Sequence, residues 1–243
     1  MADDRCKSGI DGLDELIQGG FPRNRTILIN GNCGTGKTVL VTQYIYKGII
    51  EHNEPGVLLM LEQDAAEFKE DMLGFNFDLQ KLEDEGKLII INANLRQKST
   101  GWMNLTSDTF NLDPDHATID NITEIIEKAA EQIGAKRAAI DSVSSMMINF
   151  NDTQKLRSII LDLNYRLKQK GLTTLMISDE IAGDVTESAE KYVVDGVISL
   201  RYVTVGPDPG RTLIIDKMRR TGHSENIHTL QFKKGEGIQI LKT

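Results

Sequence analysis

The chain has 243 residues, of which 40% are hydrophobic and 26% charged, and this ordinary globular composition excludes wholesale disorder and low-complexity repeats. Its formal net charge of −8 argues against a bulk nucleic-acid binder, which usually carries a basic surface. Two cysteines are too few for a disulfide scaffold or a Cys-rich zinc site. The first residues are acidic and have no apolar core, unlike a signal peptide, and the apolar runs are too short for a membrane helix. We therefore expect a cytoplasmic protein.

Short apolar runs, typical of buried strands, alternate with stretches of helical periodicity along most of the chain. In chain order we predict a strand over 26–30, a helix over 37–50, a strand over 57–61, a helix over 65–73, a strand over 88–92, a helix over 120–133, a strand over 137–141, a helix capped by Asp152 and ended by Gly171, and a strand over 173–178. This βαβα order predicts an α/β fold with a mainly parallel central sheet flanked by helices.

The pattern changes after about residue 190, where short strands follow one another with no helix between them. We predict strands over 193–203, 212–217, 227–232 and 238–241, with turns at Gly206-Pro207, Pro209-Gly210 and Lys234-Gly235. These strands are expected to extend the sheet as antiparallel C-terminal strands. No stretch has the composition of a linker, so residues 1–243 are expected to form one domain, with a long loop over 94–118.

One motif between the first predicted strand and helix carries a specific chemistry. Its residues are Gly31, Asn32, Cys33, Gly34, Thr35, Gly36, Lys37 and Thr38, which fit G-x-x-x-x-G-K-[ST] in full. Glycines let the backbone N–H groups face phosphate oxygens, and the helix start adds its positive end. Lys37 is expected to reach the β- and γ-phosphates and the Thr38 hydroxyl to bind Mg²⁺. Cys33 is expected to be a small tolerated residue, with a redox role as the alternative.

Two acids at strand ends complete the predicted site. Asp141 ends an apolar strand, as expected of a carboxylate that helps to hold Mg²⁺. Glu62 ends the strand that follows the loop helix and is the candidate general base for the attacking water. The alternative for Glu62 is a solvated residue at the start of the next helix.

A cationic segment near the C-terminus has two interpretations. Lys217, Arg219 and Arg220 precede Thr221 and His223 at the end of a late predicted strand. In the first interpretation, the segment offers an arginine finger to a phosphate bound by the neighbouring subunit. From the residues alone a solvated loop is the favoured interpretation. The four histidines lack the spacing of metal ligands.

Taken together, these motifs resemble single-domain KaiC-like ATPases of the RecA superfamily. The resemblance covers nearly the whole chain through the segments 8–16, 19–22, 31–38, 56–62, 74–79, 140–145, 166–168 and 217–223. It implies a RecA-like P-loop NTPase fold and Mg²⁺-dependent binding and hydrolysis of ATP.

The resemblance also implies a ring-shaped homo-oligomer, a hexamer, with ATP between adjacent subunits. In such a ring Lys217 and Arg219 reach the neighbour's site, and Thr221 and His223 approach the nucleotide. The family usually has paired glutamates where this chain has Glu62 and Gln63, which predicts slow hydrolysis or a site that mainly binds. A role in signalling or in the regulation of assembly is expected, with an unknown protein partner.

Four functions therefore stay open at the level of sequence. The first is a homo-oligomeric ATPase, and the second is a nucleotide-gated scaffold or switch with little turnover. The third is a recombinase-like DNA-binding ATPase, which is disfavoured because residues 94–115 and 179–190 carry few cations. The fourth is an autokinase, for which the sequence locates no acceptor hydroxyl.

Overall fold

The computed structural model describes residues 5–92, 119–147, 153–180, 189–205 and 208–241. The elements in chain order are β1 (Arg5–Cys6), α1 (Leu13–Leu16), β2 (Phe21–Pro22), β3 (Thr26–Gly31), α2 (Lys37–His52), β4 (Gly56–Met60), α3 (Ala65–Leu73), α4 (Leu79–Asp84), β5 (Leu88–Asn92), α5 (Ile119–Ile133), β6 (Arg137–Asp141), α6 (Val143–Met147), α7 (Thr153–Gln169), β7 (Thr173–Asp179), α8 (Ala189–Val193), β8 (Gly196–Val205), β9 (Asp208–Met218), β10 (His228–Lys233) and β11 (Gly237–Leu241).

A nine-stranded sheet in the order β11-β10-β9-β8-β3-β7-β6-β4-β5 organises the chain. The strands from β8 to β5 in this order run parallel, and β9, β10 and β11 add antiparallel strands at one edge. The predicted fold class is therefore confirmed. β3 lies inside the sheet between β7 and β8, and all six of its residues are buried, so the loop that follows it has a rigid support.

Two apolar clusters cover the two faces of the sheet. Alternate residues of β3 divide between them: Ile27 and Ile29 face the cluster built with α2, whereas Leu28 faces the cluster built with α5 and α7. This alternation follows from the two-residue period of a strand. Strands buried on both faces explain why the sequence shows continuous apolar runs rather than alternating ones.

Most predicted elements lie within a residue or two of the observed ones, and α3 coincides with its prediction. The prediction was wrong around residue 190, because Val193 ends the short helix α8 and β8 begins only at Gly196. Pro209 and Gly210 were expected to turn but lie in β9, paired with Thr204 and Val203. β10 pairs only with residues 211–213 of β9, so Pro209 lies beyond that pairing, where one side of β9 is open and a proline is tolerated.

Several features were missed or lie outside the described residues. The short elements α1, α4, α6, α8, β1 and β2 were not predicted, because runs of two to six residues carry too little periodicity. The loop over 94–118 and the helix cap at Asp152 fall outside the described part of the chain. Within the described ranges, no helix is both long and apolar enough to cross a bilayer.

Candidate nucleotide-binding site

The loop between β3 and α2 has the backbone that the motif predicts. Gly31 has a φ of 155°, and a Cβ there would lie 2.2 Å from the carbonyl oxygen of Leu200. Gly36 has a φ of 108°, and its Cβ would lie 2.8 Å from Cζ of Phe232. Both positions therefore require glycine for conformation and for space. The sequence alone supplies the first reason, whereas the second depends on β8 and β10.

Lys37, the first residue of α2, is held inside the loop. Its Nζ donates to the carbonyl oxygens of Gly31 at 2.7 Å and Asn32 at 2.9 Å. It also forms an ion pair of 2.9 Å with Asp179 Oδ1, in which the lysine side chain is 7% exposed and the aspartate side chain 40% exposed. Sequence analysis missed Asp179. Its position at the end of β7, the strand beside β3, was the available signal.

Thr38 and Asp141, the two residues predicted to bind Mg²⁺, are in contact with each other. The Thr38 hydroxyl donates to Asp141 Oδ2 at 2.7 Å. Burial raises the pKa of Asp141 to about 6, and the negative charges of Glu62 and Asp179 act in the same direction, whereas the Thr38 hydrogen bond and Lys37 oppose the rise. The carboxyl group thus lies in an environment short of positive charge, which a cation would relieve.

The donor set fits Mg²⁺ bound together with phosphates. Hydroxyl and carboxylate oxygens are the ligands that Mg²⁺ takes, and in phosphate sites it usually keeps water and uses one or two protein groups. Among the described residues no three His, Cys, Asp or Glu side chains cluster as a metal site.

Glu62 lies beside Asp141 because β4 and β6 are neighbours. Leu61 N–H donates to the carbonyl oxygen of Asp141 at 2.8 Å. Ser142 Oγ donates to Glu62 Oε1 at 2.8 Å, and Ser145 Oγ donates to the same oxygen. Both serines are buried. Two hydroxyls therefore fix the orientation of the candidate general base, and sequence analysis assigned them no role.

Gln63 occupies the position at which the family pattern has a second glutamate. Its Nε2 donates to Asp71 Oδ2 of helix α3 at 3.1 Å, in an exposed contact. The amide is thus directed to the C-terminal part of α3. Of this pair, only Glu62 contacts the residues around Asp141.

Three planar side chains, those of Tyr202, Arg211 and Phe232, form a group beside the loop. Tyr202 OH and Arg211 Nε both donate to the carbonyl oxygen of Gly34, at 2.8 and 3.3 Å. The Arg211 guanidinium carbon lies 5.0 Å from the Tyr202 ring centroid and 4.7 Å from that of Phe232. These stacked planar groups can pack against a flat aromatic ligand beside the phosphate loop. Sequence analysis missed them because strand pairing alone brings them there. Cys33 in the same loop is a free, exposed thiol.

The cationic segment lies at the opposite end of the sheet from the loop. Met218 pairs with Gly196, and Gly196 pairs with Ile27 at the start of β3. The loop begins where β3 ends at Gly31, about 13 Å farther along the strand. The structure therefore does not bring the segment to the loop of its own chain.

Each predicted residue of the segment has local contacts instead. Lys217 Nζ donates to the carbonyl oxygens of Val194 at 2.7 Å and Lys191 at 3.1 Å. Burial lowers the pKa of Lys217, and the charge of Arg219 adds to this effect. Thr221 Oγ1 accepts a hydrogen bond from Arg5 Nη1 at 2.6 Å, and His223 Nδ1 lies 3.1 Å from the carbonyl oxygen of Ser224. Neither contact involves residues 31–38.

The parallel sheet, the glycine loop and the paired Thr38 and Asp141 define a P-loop nucleotide-binding fold. The family model described as "ATPase: KaiC" matches residues 6–243. The chain therefore belongs to the KaiC ATPase family, whose membership supports a nucleotide-binding ATPase function.

Similar proteins agree with this assignment. A UPF0273 protein of Methanocaldococcus jannaschii is 33% identical over 97% of this chain and 96% of its own length. The circadian clock oscillator protein KaiC of Synechococcus elongatus is 35% identical over 90% of this chain but only 41% of its own length. The crystal structure of a KaiC-like protein from Pyrococcus horikoshii OT3 matches with a TM-score of 0.82 and 33% identity, covering 98% of this chain and 99% of that one.

Proposed function

We propose that the chain binds ATP with Mg²⁺ at residues 31–38 and hydrolyses it. The observation that carries this proposal is the 2.7 Å hydrogen bond from Thr38 to Asp141, next to a Glu62 carboxylate held by two hydroxyls. A hydroxyl, a strand-end aspartate and an oriented carboxylate beside a P-loop are the groups that phosphoryl transfer to water needs. Family membership supports the same assignment.

In this proposal each group has a separate task. Thr38 and Asp141 would hold Mg²⁺, which supplies neutralisation of phosphate charge. Lys37 leaves Asp179 and binds the β- and γ-phosphates. Glu62 orients the attacking water and accepts its proton. Backbone N–H groups of the loop, from Asn32 to Gly36 in sequence, cradle the phosphates.

The proposal also places ATP between subunits of a homo-hexameric ring formed by single-domain chains. Lys217, Arg219, Thr221 and His223 lie at the opposite end of β3 from the loop, so a neighbouring copy is the route by which they would approach a phosphate. Arg219 is exposed and is the candidate for relieving charge in the transition state. A task in signalling or in the regulation of assembly would follow from ring formation.

Replacing the base tests the hydrolytic step. We expect Glu62→Gln to lower the rate of phosphate release at least about a hundredfold, because water loses its proton acceptor while the phosphate contacts remain. Phosphate release and equilibrium binding of Mg-ATP are measured on the same preparations.

The matched control is Glu67→Gln, which removes an exposed carboxylate from the first turn of α3 and should leave the rate unchanged. Equal rates for wild type and Glu62→Gln would remove Glu62 from the mechanism. Absence of Mg-ATP binding by the wild type would refute the proposed function as a whole.

A nucleotide-gated switch is the second candidate, and the contact of Gln63 with Asp71 favours it. With one carboxylate facing the site instead of two, activation of water is weaker. ATP would then act mainly by linking subunits, since a ligand that binds the assembled form stabilises it. Assembly on Mg-ATP without measurable phosphate release would support this candidate over the ATPase.

A further inference from the structure

Val194 and Asp195 join helix α8 to strand β8, and we call these two residues the 194–195 junction. The carbonyl oxygen of Val194 accepts a hydrogen bond from Lys217 Nζ at 2.7 Å. The carbonyl oxygen of Asp195 accepts one from the backbone N–H of Arg219 at 2.9 Å. Both cationic residues that we assign to the neighbouring site are therefore attached to this junction.

The Asp195 side chain fastens the junction to the rest of the fold. The residue is only 1% exposed. Its Oδ2 accepts from the backbone N–H of Thr26 at 3.2 Å and from Lys168 Nζ at 2.5 Å, and its Oδ1 lies 3.4 Å from Arg25 Nη1. A buried carboxylate is stable only with such partners. The contacts tie the junction to the start of β3 and to the end of α7.

Asp195 is also the buried acid in a group of cations. Arg25 and Lys168 contact its carboxylate, and the charge of Lys217 interacts with those of Asp195, Lys168 and Arg219. The charges of Arg219 and Lys168 lower the pKa of Lys217, in addition to burial, whereas the charge of Asp195 raises it. Without the carboxylate, the four cations would repel one another, and this repulsion would act on Arg219, which is the exposed residue among the four.

We propose that Asp195 is a positioning residue that holds Arg219 where it reaches the ATP bound by a neighbouring subunit. This inference rests on the proposed function, in which Arg219 acts on the next subunit's site. Because Asp195 lies at the opposite end of β3 from residues 31–38, its loss leaves the nucleotide site of its own chain intact. The defect of an Asp195 variant is therefore confined to the site that it serves in the neighbour.

Mixing of variants tests this prediction. We expect Asp195→Asn alone to lower kcat for phosphate release at least about tenfold, with the KM for ATP changed less than about threefold, because charge relief in the transition state is lost. Glu62→Gln subunits lack the base but keep an intact Arg219 segment. In rings assembled at random from equal amounts of Asp195→Asn and Glu62→Gln, about a quarter of the interfaces join the intact nucleotide site of the first variant to the intact Arg219 segment of the second. About a quarter of the wild-type rate should therefore return.

A purely structural defect would not produce this recovery, since a misfolded Asp195→Asn subunit could not use its own site. Unchanged kcat in Asp195→Asn, or no recovery on mixing with Glu62→Gln, would overturn the inference. Mixing Arg219→Ala with Glu62→Gln distinguishes a failure of the role of Asp195 from a failure of action between subunits. Recovery with Arg219→Ala but not with Asp195→Asn refutes only the role of Asp195, whereas recovery with neither refutes action between subunits.

Two further variants guard against a trivial loss of folding. Asp195→Asn combined with Lys168→Gln removes the buried charge together with one of its cations, and its thermal melting is measured beside that of the single variant. With one of the four cations removed, the double variant should melt higher than the single variant, while its rate stays below that of wild type and recovers on mixing with Glu62→Gln. A wild-type rate in the double variant would overturn the inference. Asp162→Asn on α7 removes a half-exposed carboxylate that lies 4.0 Å from Arg166, and it should leave the rate unchanged.

Discussion

At the scale of single residues, the polar side chains of the site are paired with one another. Lys37 forms an ion pair with Asp179, and the Thr38 hydroxyl donates a hydrogen bond to Asp141. In the proposed function, phosphates and a cation would replace these internal contacts. The affinity for Mg-ATP would then depend on how much stronger the new contacts are than the internal ones.

Removing the internal partner of the loop lysine should strengthen binding. In Asp179→Asn, Lys37 no longer leaves an ion pair of 2.9 Å, and a negative charge near the phosphates disappears. Because Asp179 is partly exposed and screened by solvent, we expect a modest increase of about three- to tenfold in Mg-ATP affinity. Isothermal titration measures it, with Asp84→Asn on α4 as the control; equal or weaker binding would contradict the prediction.

The raised pKa of Asp141 predicts a dependence of stability on pH. Its folded pKa of about 6 lies above the usual 3.8, so the folded state gains stability as pH falls through 6 and loses it again on deprotonation. Above pH 6 the ionised group costs no more than about 3 kcal/mol. Without Mg²⁺ and nucleotide, Asp141→Asn should therefore melt higher than wild type at pH 8.

The advantage of Asp141→Asn should shrink toward pH 5, where the wild-type carboxyl group is itself largely neutral. Melting temperatures at the two pH values decide the matter, with Asp84→Asn as the comparison. A constant difference between wild type and Asp141→Asn at both values would refute the electrostatic cause.

At the scale of elements, helix α2 is seated on the sheet by a buried arginine. Arg137 at the start of β6 donates to the carbonyl oxygens of Tyr44 and Lys7 and pairs with Glu54 at 2.6 Å. Gly48 of α2 leaves the room for it, because a Cβ there would lie 2.1 Å from Arg137 Nε. The helix that carries Lys37 and Thr38 therefore approaches the sheet as closely as this glycine allows.

Filling that space should destabilise the fold. Gly48→Ala would favour the helix by about 1 kcal/mol, but the clash with a fully buried side chain costs more. We expect a net loss of about 1–3 kcal/mol in the free energy of unfolding, measured by urea denaturation. Gly210→Ala in β9, whose Cβ would meet nothing closer than 3.9 Å, is the control and should lose less stability than Gly48→Ala. Equal losses for both variants would contradict the packing argument.

At the scale of the whole molecule, the sheet separates the two halves of the proposed site. The loop lies at the carboxyl end of β3, and the segment with Arg219 lies at the amino end of the same strand. A rigid strand cannot bring its two ends together. This separation favours a heterologous, head-to-tail contact between copies, which closes into a ring when the rotation permits.

Nucleotide should therefore drive assembly. We expect Mg-ATP to raise the solution mass of the 27.1 kDa chain toward that of a hexamer, because ATP between subunits stabilises the assembled form. Light scattering across an ATP titration measures it. Lys37→Ala should stay small at all ATP concentrations, and a wild-type mass that is independent of ATP would contradict nucleotide between subunits.

Much of this protein follows from local sequence signals. The alternation of apolar runs and helical stretches predicted the parallel sheet, and residues 31–38 predicted the loop that follows β3. Asp141 and Glu62 were found because residues at the carboxyl ends of neighbouring parallel strands meet at one edge. These features depend on short-range patterns of residue type.

Other features depend on which strands become neighbours. Asp179 and Tyr202 reach the loop only because β7 and β8 flank β3, and Arg211 reaches it because β9 pairs with β8. The buried Asp195 meets Arg25 and Lys168 from three distant parts of the chain. Pairing between distant segments is decided by burial of the whole sheet, so no local pattern reveals it. The sequence by itself determined that a glycine-rich loop of the P-loop type follows the strand at residues 26–31, because this motif depends on local residue types. The tertiary structure decided what balances the charges of this loop and that Arg219 lies away from it, because both depend on pairing between distant strands.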